Sequence, residues 1–454
     1  MVRNIKDIKG FCILPFIHLS TRTDGRMQIC CTANSSSTNQ EQYVGCNRKD
    51  DGSFVELHKD RPEDNWNTHY MKSLRLAMLK GEKPPVCRKC YDEEESGYRS
   101  KRMWENDLWE KQLDYNTIVD KVNADGSMPY GIHYIDMKLG NACNLACVMC
   151  NPADSSLWIP DWNKLKKKDI SPEVDSNTYW NKKEAGSYNW YKKNENYWES
   201  LQENIDKLHS VYIIGGEPTV NPEFKKFVKD CVEGDHAKHI DLRFNTNGQI
   251  LDNELKDLYT EFKSVTLHLS MDGTHNRYEY IRHPGTWQEQ LDSLHWHDQL
   301  SDNVKVEIDC TAQALNAWHI PDFIVWKLNQ KFKKITVYPN FGGMIGIHIL
   351  WHPHILSVKV LPNEFKKEIV EKYDETIKWV NTHFQPNHGK GVVKHNRMKA
   401  IANHMMSDDQ SNKWKYTVEY LDKMDEIRNT DWRKTFPELA AVSYTHLTLP
   451  TSDL

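Results

Sequence analysis

Three cysteines fall within eight residues in the segment Gly140-Asn-Ala-Cys143-Asn-Leu-Ala-Cys147-Val-Met-Cys150-Asn-Pro152. Cysteines this close, in a chain without an export signal, more often hold metal or do redox chemistry than form disulfides. Three thiolates cannot fill the four positions of a tetrahedral shell. They can wrap one face of an iron–sulfur cluster, whose full complement is four thiolates, and leave one iron open to a small ligand. The spacing alone leaves a second possibility, a zinc knot that borrows its fourth ligand from elsewhere.

Such a loop needs elements to hold it. Apolar, strand-like runs at 134–139, 211–214, 240–244, 265–269, 304–308 and 335–338 end in turn residues, and from the second onward recur roughly every 30 residues. Helical patterning fills the gaps, as in Pro222–Glu233 and 253–263. Repeated βα units predict a parallel sheet with its reactive groups where strands end. Six units are expected to form an open, partial barrel rather than a closed one of eight. The chain has 454 residues, a net charge of −5 and a mean hydropathy of −0.74, yet carries 16 Trp, 20 Tyr and 13 Phe. That aromatic content argues for a folded protein, and the charge gives no basic field of the kind that binds nucleic acid in bulk. No run is long and apolar enough for a membrane span. The apolar stretch at 11–19 is broken by Pro15 and His18 and is followed by Thr-Arg-Thr-Asp-Gly rather than a cleavage site. A cytoplasmic protein is expected.

The Cys-x3-Cys-x2-Cys spacing after the first strand resembles the radical S-adenosylmethionine (SAM) superfamily. Gly215-Gly216-Glu217-Pro218 after the second strand is similar to that family's GGEP motif. Asn245-Thr246-Asn247-Gly248 after the third looks like its TNG turn, and Ser270-Met271-Asp272-Gly273 after the fourth like its S-x-D-G. Arg282 follows where related enzymes often place an arginine, and Met149 stands where they usually carry an aromatic. The resemblance covers about residues 132–340 and implies an α/β fold with a partial (β/α)6 barrel core. It implies that Cys143, Cys147 and Cys150 ligate three irons of a 4Fe–4S cluster whose fourth iron takes SAM. Reductive cleavage of SAM would give a 5′-deoxyadenosyl radical that abstracts hydrogen from a substrate. Gly215 and Gly216 would let backbone approach SAM, and Glu217 would accept from its ammonium. Ser270 and Arg282 are candidates for its carboxylate and Asn245 for its ribose. An external electron donor of the flavodoxin or ferredoxin class would be needed.

Cys12, Cys30, Cys87 and Cys90 resemble the first half of the SPASM pattern, the twitch element, which holds an auxiliary Fe–S cluster. A hairpin turn at Asp24-Gly25 brings Cys12 and Cys30 together, and Cys87 with Cys90 closes the site. Cys31 points to the opposite strand face, so Cys30 is the expected ligand. A structural zinc needs the same four thiolates and remains the alternative. Twitch elements normally follow the core, whereas this one precedes it. The expected organisation is a small α+β cysteine-rich auxiliary domain at 1–110, the radical SAM core at 111–341, and a helical C-terminal region at 342–441 with helices at 363–382 and 413–428. Residues 442–454 read as an adapter-derived scar that continues no pattern. An insertion at about 151–209 carries Trp158, Trp162, Trp180, Trp190 and Trp198. It is either a substrate-facing lid or a surface excursion packing its own Trp residues. Two functions follow: a radical SAM enzyme acting on a peptide or protein, or a non-catalytic zinc or Fe–S module that engages a partner through the Trp-rich insertion.

Overall fold

The computed structural model describes residues 5, 8–33, 45–95, 99–180, 188–193, 195–335, 345–383 and 396–448. They form two compact units interleaved in sequence. The first comprises Met1–Asn141, Lys182–Phe244 and Glu261–Ser264, and the second Ala142–Asn181, Asn245–Thr260 and Val265–Leu454.

In the first unit β1 (His18–Thr21) and β2 (Met27–Gln28) make an antiparallel hairpin. Its turn is closed by the Arg22 and Gly25 amides, with Gly25 at φ +81°. β1 then pairs in parallel with β3 (Tyr134–Lys138), β3 with β4 (Ser210–Ile214), and β4 with β5 (Asp241–Thr246). The N-terminal segment, expected as a separate piece, therefore adds strands to the same sheet as the first βα units. Its early residues do so because His18–Thr21 are all buried. The helix Pro222–Glu233 forms as its sequence predicts: Asn221 caps the Glu223 amide at 3.0 Å, and Phe224, Phe227, Val228 and Cys231 make one buried stripe.

In the second unit β6 (Ser264–Ser270), β7 (Val304–Ala312) and β8 (Gly346–Ile349) are parallel neighbours in that order. Both β6 and β7 bury every second residue, so each has an apolar and a polar face. Of the expected sixth strand at 335–338, only Ile335, in a bend, is described, and 336–338 fall outside the described residues. A further strand, Gly346–Ile349, lies beside β7, where a side chain on Gly346 would meet Asp309 Oδ1 at 2.1 Å; only glycine permits that approach. The fold is mixed α/β with mostly parallel strands.

The C-terminal helices run over Asn363–His383, Asn396–Met406, Trp414–Arg428 and Pro437–Thr448. The last crosses the boundary set at 442, and Ser443 accepts from Trp414 Nε1 at 3.1 Å; 449–454 lie outside the described residues. Among the described residues no helix is long and apolar enough to cross a membrane.

The insertion's aromatics pack. In the first unit Trp190 is fully buried, edge-on to Tyr197 at 4.9 Å and directly over Gly25, where an added Cβ would come within 2.6 Å of its ring. In the second, Trp158 is buried and Trp162 and Trp180 meet edge to face at 5.2 Å. Trp190→Ala should therefore cost about 3–5 kcal/mol, read as a lower denaturant midpoint, the usual cost of emptying an aromatic site; a solvent-facing lid residue would leave the midpoint unmoved. A second outcome concerns pH. Burial pushes His297 down to about 4, partly opposed by its hydrogen bond to the Ser293 carbonyl. Its depressed pKa contributes stability that is present above the unfolded value near 6.5 and is lost as pH falls through 4. Over that window His297→Gln should flatten the decline in stability by about 1.4 kcal/mol per pH unit.

Candidate metal and cofactor site

The three-cysteine loop leaves β3 through Gly140, at φ +65°, where a side chain would strike the Tyr188 carbonyl at 2.1 Å. From Ala142 onward the loop belongs to the second unit, which fixes it through its backbone. The Ala146 amide donates to the His283 carbonyl at 2.6 Å and the Val148 amide to the Ile281 carbonyl at 2.8 Å. Carbonyls are held as firmly: Leu145 accepts from Ser155 Oγ at 2.6 Å, Ala146 from Arg428 Nη2 at 2.8 Å, Cys147 from Trp158 Nε1 at 2.7 Å and Val148 from Tyr420 OH at 2.8 Å. A loop whose peptide groups are tied from both sides presents its sulfurs in one arrangement. Cys147 is buried, while Cys143 and Cys150 are half-buried.

The electrostatics centre on Arg282. Its Nε donates to Asp272 Oδ2 at 2.6 Å, and its Nη1 lies 3.8 Å from Cys147 Sγ. Asp272 is fully buried; its Oδ1 accepts the Thr311 amide at 2.7 Å and its carbonyl accepts Asn316 Nδ2 at 3.1 Å. A hydrogen bond from Cys150 and then the Arg282 guanidinium lower Cys147 to about 7, against burial. Cys150, as donor in that pair, is pushed up. The Arg282 guanidinium thus favours the thiolate form of Cys147. The turn after β5 joins the same unit: Asn247 Nδ2 donates to Asn144 Oδ1, between the first two cysteines, at 2.7 Å. Asn245 and Ser270 sit half-exposed at the ends of β5 and β6.

In the first unit, Gly215 and Gly216 have φ of +91° and +54°, and a side chain on Gly215 would press on the Gly140 carbonyl and Lys138 Cα at 3.1 Å. Glu217 is 2% exposed, and its Oε1 accepts both the amide and the hydroxyl of Thr219, at 3.1 and 2.7 Å. This fixes the carboxylate at the end of β4.

The same unit gathers the four N-terminal cysteines. Cys12, Cys30, Cys87 and Cys90 line one pocket, with Thr32, Lys89, Lys101 and Arg102 on its walls. Burial and then the charges of neighbouring cysteines push Cys12 and Cys87 up. Cys31 is not on that lining; it lies near Lys101 and Asp136. Among the described residues, no three His, Cys, Asp or Glu side chains are grouped to hold a single metal ion. The four N-terminal cysteines share one pocket wall, a donor set that suits either a zinc ion or an iron–sulfur cluster.

Asp272 stands in the Ser-Met-Asp-Gly motif, which by itself gives it no role; Trp158 is marked in the sequence only as an aromatic of the insertion, and Tyr420 and Arg428 carry no sequence signal. Their contribution is a hydrogen bond to loop backbone, which any donor side chain can make and no spacing announces.

Residues 137–308 match the family model described as Radical SAM superfamily. A stretch of 127 residues, 28% of this chain, is 27% identical to GTP 3',8-cyclase of Aliarcobacter butzleri (strain RM4018), covering 31% of that protein. Among solved structures, native anSMEcpe with bound AdoMet aligns over 56% of this chain and 61% of its own, at 17% identity and a TM-score of 0.35. Streptococcus suis SuiB bound to precursor peptide SuiA aligns over 74% and 71%, at 12% identity and a TM-score of 0.33. The chain thus spans about a third of the curated relative it matches. The three-cysteine loop and the Asp272–Arg282 pair lie inside the matched residues, and 137–308 are a radical SAM superfamily domain.

Proposed function

We propose that the protein is a radical SAM enzyme with one auxiliary iron–sulfur cluster, acting on a peptide or protein. The observation that carries this reading is the locked three-cysteine loop with Arg282 against Cys147. Cys143, Cys147 and Cys150 would hold the 4Fe–4S cluster, and Cys12, Cys30, Cys87 and Cys90 the auxiliary one. Gly215, Gly216 and Glu217 would receive the amino end of SAM, with Asn245, Ser270 and Arg282 as its further contacts. When bound, cluster and SAM supply an electron and a carbon radical able to take hydrogen from a substrate.

The chain's own residues do the positioning. Arg282 offsets the negative charge that thiolates bring into a buried loop, and Asp272 keeps its guanidinium from swinging away. Trp158 and Tyr420 exclude water behind the loop while satisfying its carbonyls. The pairing of a core loop with a second cysteine set, which in related families accompanies peptide modification, supports the peptide substrate. The alternative, a partner-binding module using its Trp residues, has less support because Trp158, Trp180 and Trp190 are buried. An external flavodoxin- or ferredoxin-class donor would supply the electron.

Anaerobic reconstitution tests the reading. The chain should take up iron and sulfide in both sites and, once reduced, release 5′-deoxyadenosine from SAM; colourless, zinc-loaded protein would overturn it. Cys147→Ala should abolish that release and lower iron by about one cluster's share, with the N-terminal iron retained. Arg282→Gln should fold, because Asp272 keeps its Thr311 and Asn316 partners, yet should slow 5′-deoxyadenosine release by about 10²-fold, the usual scale for losing one charged stabilising contact. Arg282→Lys should recover only part of this, since an ammonium cannot span carboxylate and sulfur as the planar fork does.

A further inference from the structure

In the first unit, Asp136 occupies the middle of β3 with Ser20 of β1 on one side and Tyr212 of β4 on the other; Arg243 of β5 is the next residue in register beyond Tyr212. Asp136 is completely buried, and neither carboxylate oxygen has a hydrogen-bond partner. Native proteins rarely leave such a group unmatched. The nearby cations do not bond to it. Lys101 donates to Glu105 Oε1 at 3.0 Å, and the Arg243 guanidinium stands 5.6 Å from the ring centres of both Tyr134 and Tyr212, reaching Ser210 Oγ at 3.4 Å. Both cations nevertheless feel the Asp136 charge.

A third acceptor sits on the same face. His18 is buried, and its Nδ1 lies 3.2 Å from the Ile29 carbonyl. A carbonyl only accepts, so Nδ1 carries the proton and Nε2 is an acceptor; that Nε2 has no partner. The site therefore offers acceptors on β1 and β3, a fork of donors on β5, and two aromatic rings between.

A ligand must match this pattern. A lone ammonium would satisfy Asp136 but sit in the field of Lys101 and Arg243. A lone anion would face the Asp136 carboxylate. A neutral group carrying N–H donors and a carbonyl on one flat frame meets both ends, and its plane suits the tyrosine rings. That group is an amide.

We propose that Asp136, His18 and Arg243 form a substrate subsite that seats an amide, its N–H groups on Asp136 and His18 Nε2 and its carbonyl on Arg243. Its assignment to substrate rests on the reading of the chain as a peptide-modifying enzyme; the binding chemistry does not.

Two measurements on the full chain test it. Ligand-observed saturation-transfer NMR with N-acetylglycinamide should show binding, weakened about tenfold or more in Asp136→Asn and in Arg243→Gln, the scale of one lost hydrogen-bonding partner. Sodium acetate and methylammonium chloride should bind at least tenfold more weakly than the amide. Thermal melts of the unliganded chain should show Asp136→Asn raising Tm by about 2 °C, since it removes a buried charge that has no hydrogen-bond partner. A lower Tm, or failure of Asp136→Asn to fold, would make the carboxylate a structural counter-ion of Lys101 and Arg243 and overturn the proposal. Absence of N-acetylglycinamide binding, or equal binding of either ion, would do the same. Failure of the reconstituted wild-type chain to release 5′-deoxyadenosine would instead sink the enzymatic reading and leave the NMR and melting results standing on their own.

Discussion

The second unit depends on a guanidinium held between a carboxylate and a sulfur. Thiolates in a buried loop repel each other and resist losing their protons, so a site of this kind needs a fixed positive charge within reach. Arg282 supplies it to Cys147, and Asp272 holds Arg282. Asp272 in turn cannot move, because the amide of Thr311 and the side chain of Asn316 occupy it. Three segments far apart in sequence thereby fix one charge to within a hydrogen bond. A lysine would provide the charge without the two-ended geometry.

The same unit uses its backbone as carefully as its charges. Most loops carry peptide groups that water satisfies. Here the carbonyls of Leu145, Ala146, Cys147 and Val148 all accept from side chains, two of them from the helix Trp414–Arg428. That helix, remote in sequence and without a motif, is part of the site's support rather than an appendage. The first unit handles its four cysteines differently. They line a cavity in which burial and mutual repulsion favour the thiols. Thiolates there need the charge of a bound metal, so that site and its metal would form together.

Much of this was legible beforehand. The strands β3, β4, β5, β6 and β7 lie within a residue or two of their apolar runs except that β7 extends to Ala312, because alternation and terminal turn residues are local signals. The helix Pro222–Glu233 matches to the residue, since an N-cap, a first-turn proline and an apolar stripe coincide. The strand Gly346–Ile349 carries no local signal because its pairing turns on Gly346 yielding space to Asp309, which lies 37 positions earlier in the chain. The joining of β1 to β3 was missed for a related reason. Four buried residues say that a segment is inside, not which edge it completes.

The sequence by itself determined the chemistry on offer: the spacing of Cys143, Cys147 and Cys150, the glycines and Glu217 after the second strand, and the cysteines able to make a second site. These are local, because ligand spacing and turn chemistry act over a few residues. Only the tertiary structure decided which charge faces which sulfur, which donors secure the loop, and which buried carboxylate is left without a partner. Those are contacts between segments that the chain separates by tens to hundreds of residues. Their energies depend on distance and burial in space, and a one-dimensional pattern carries neither.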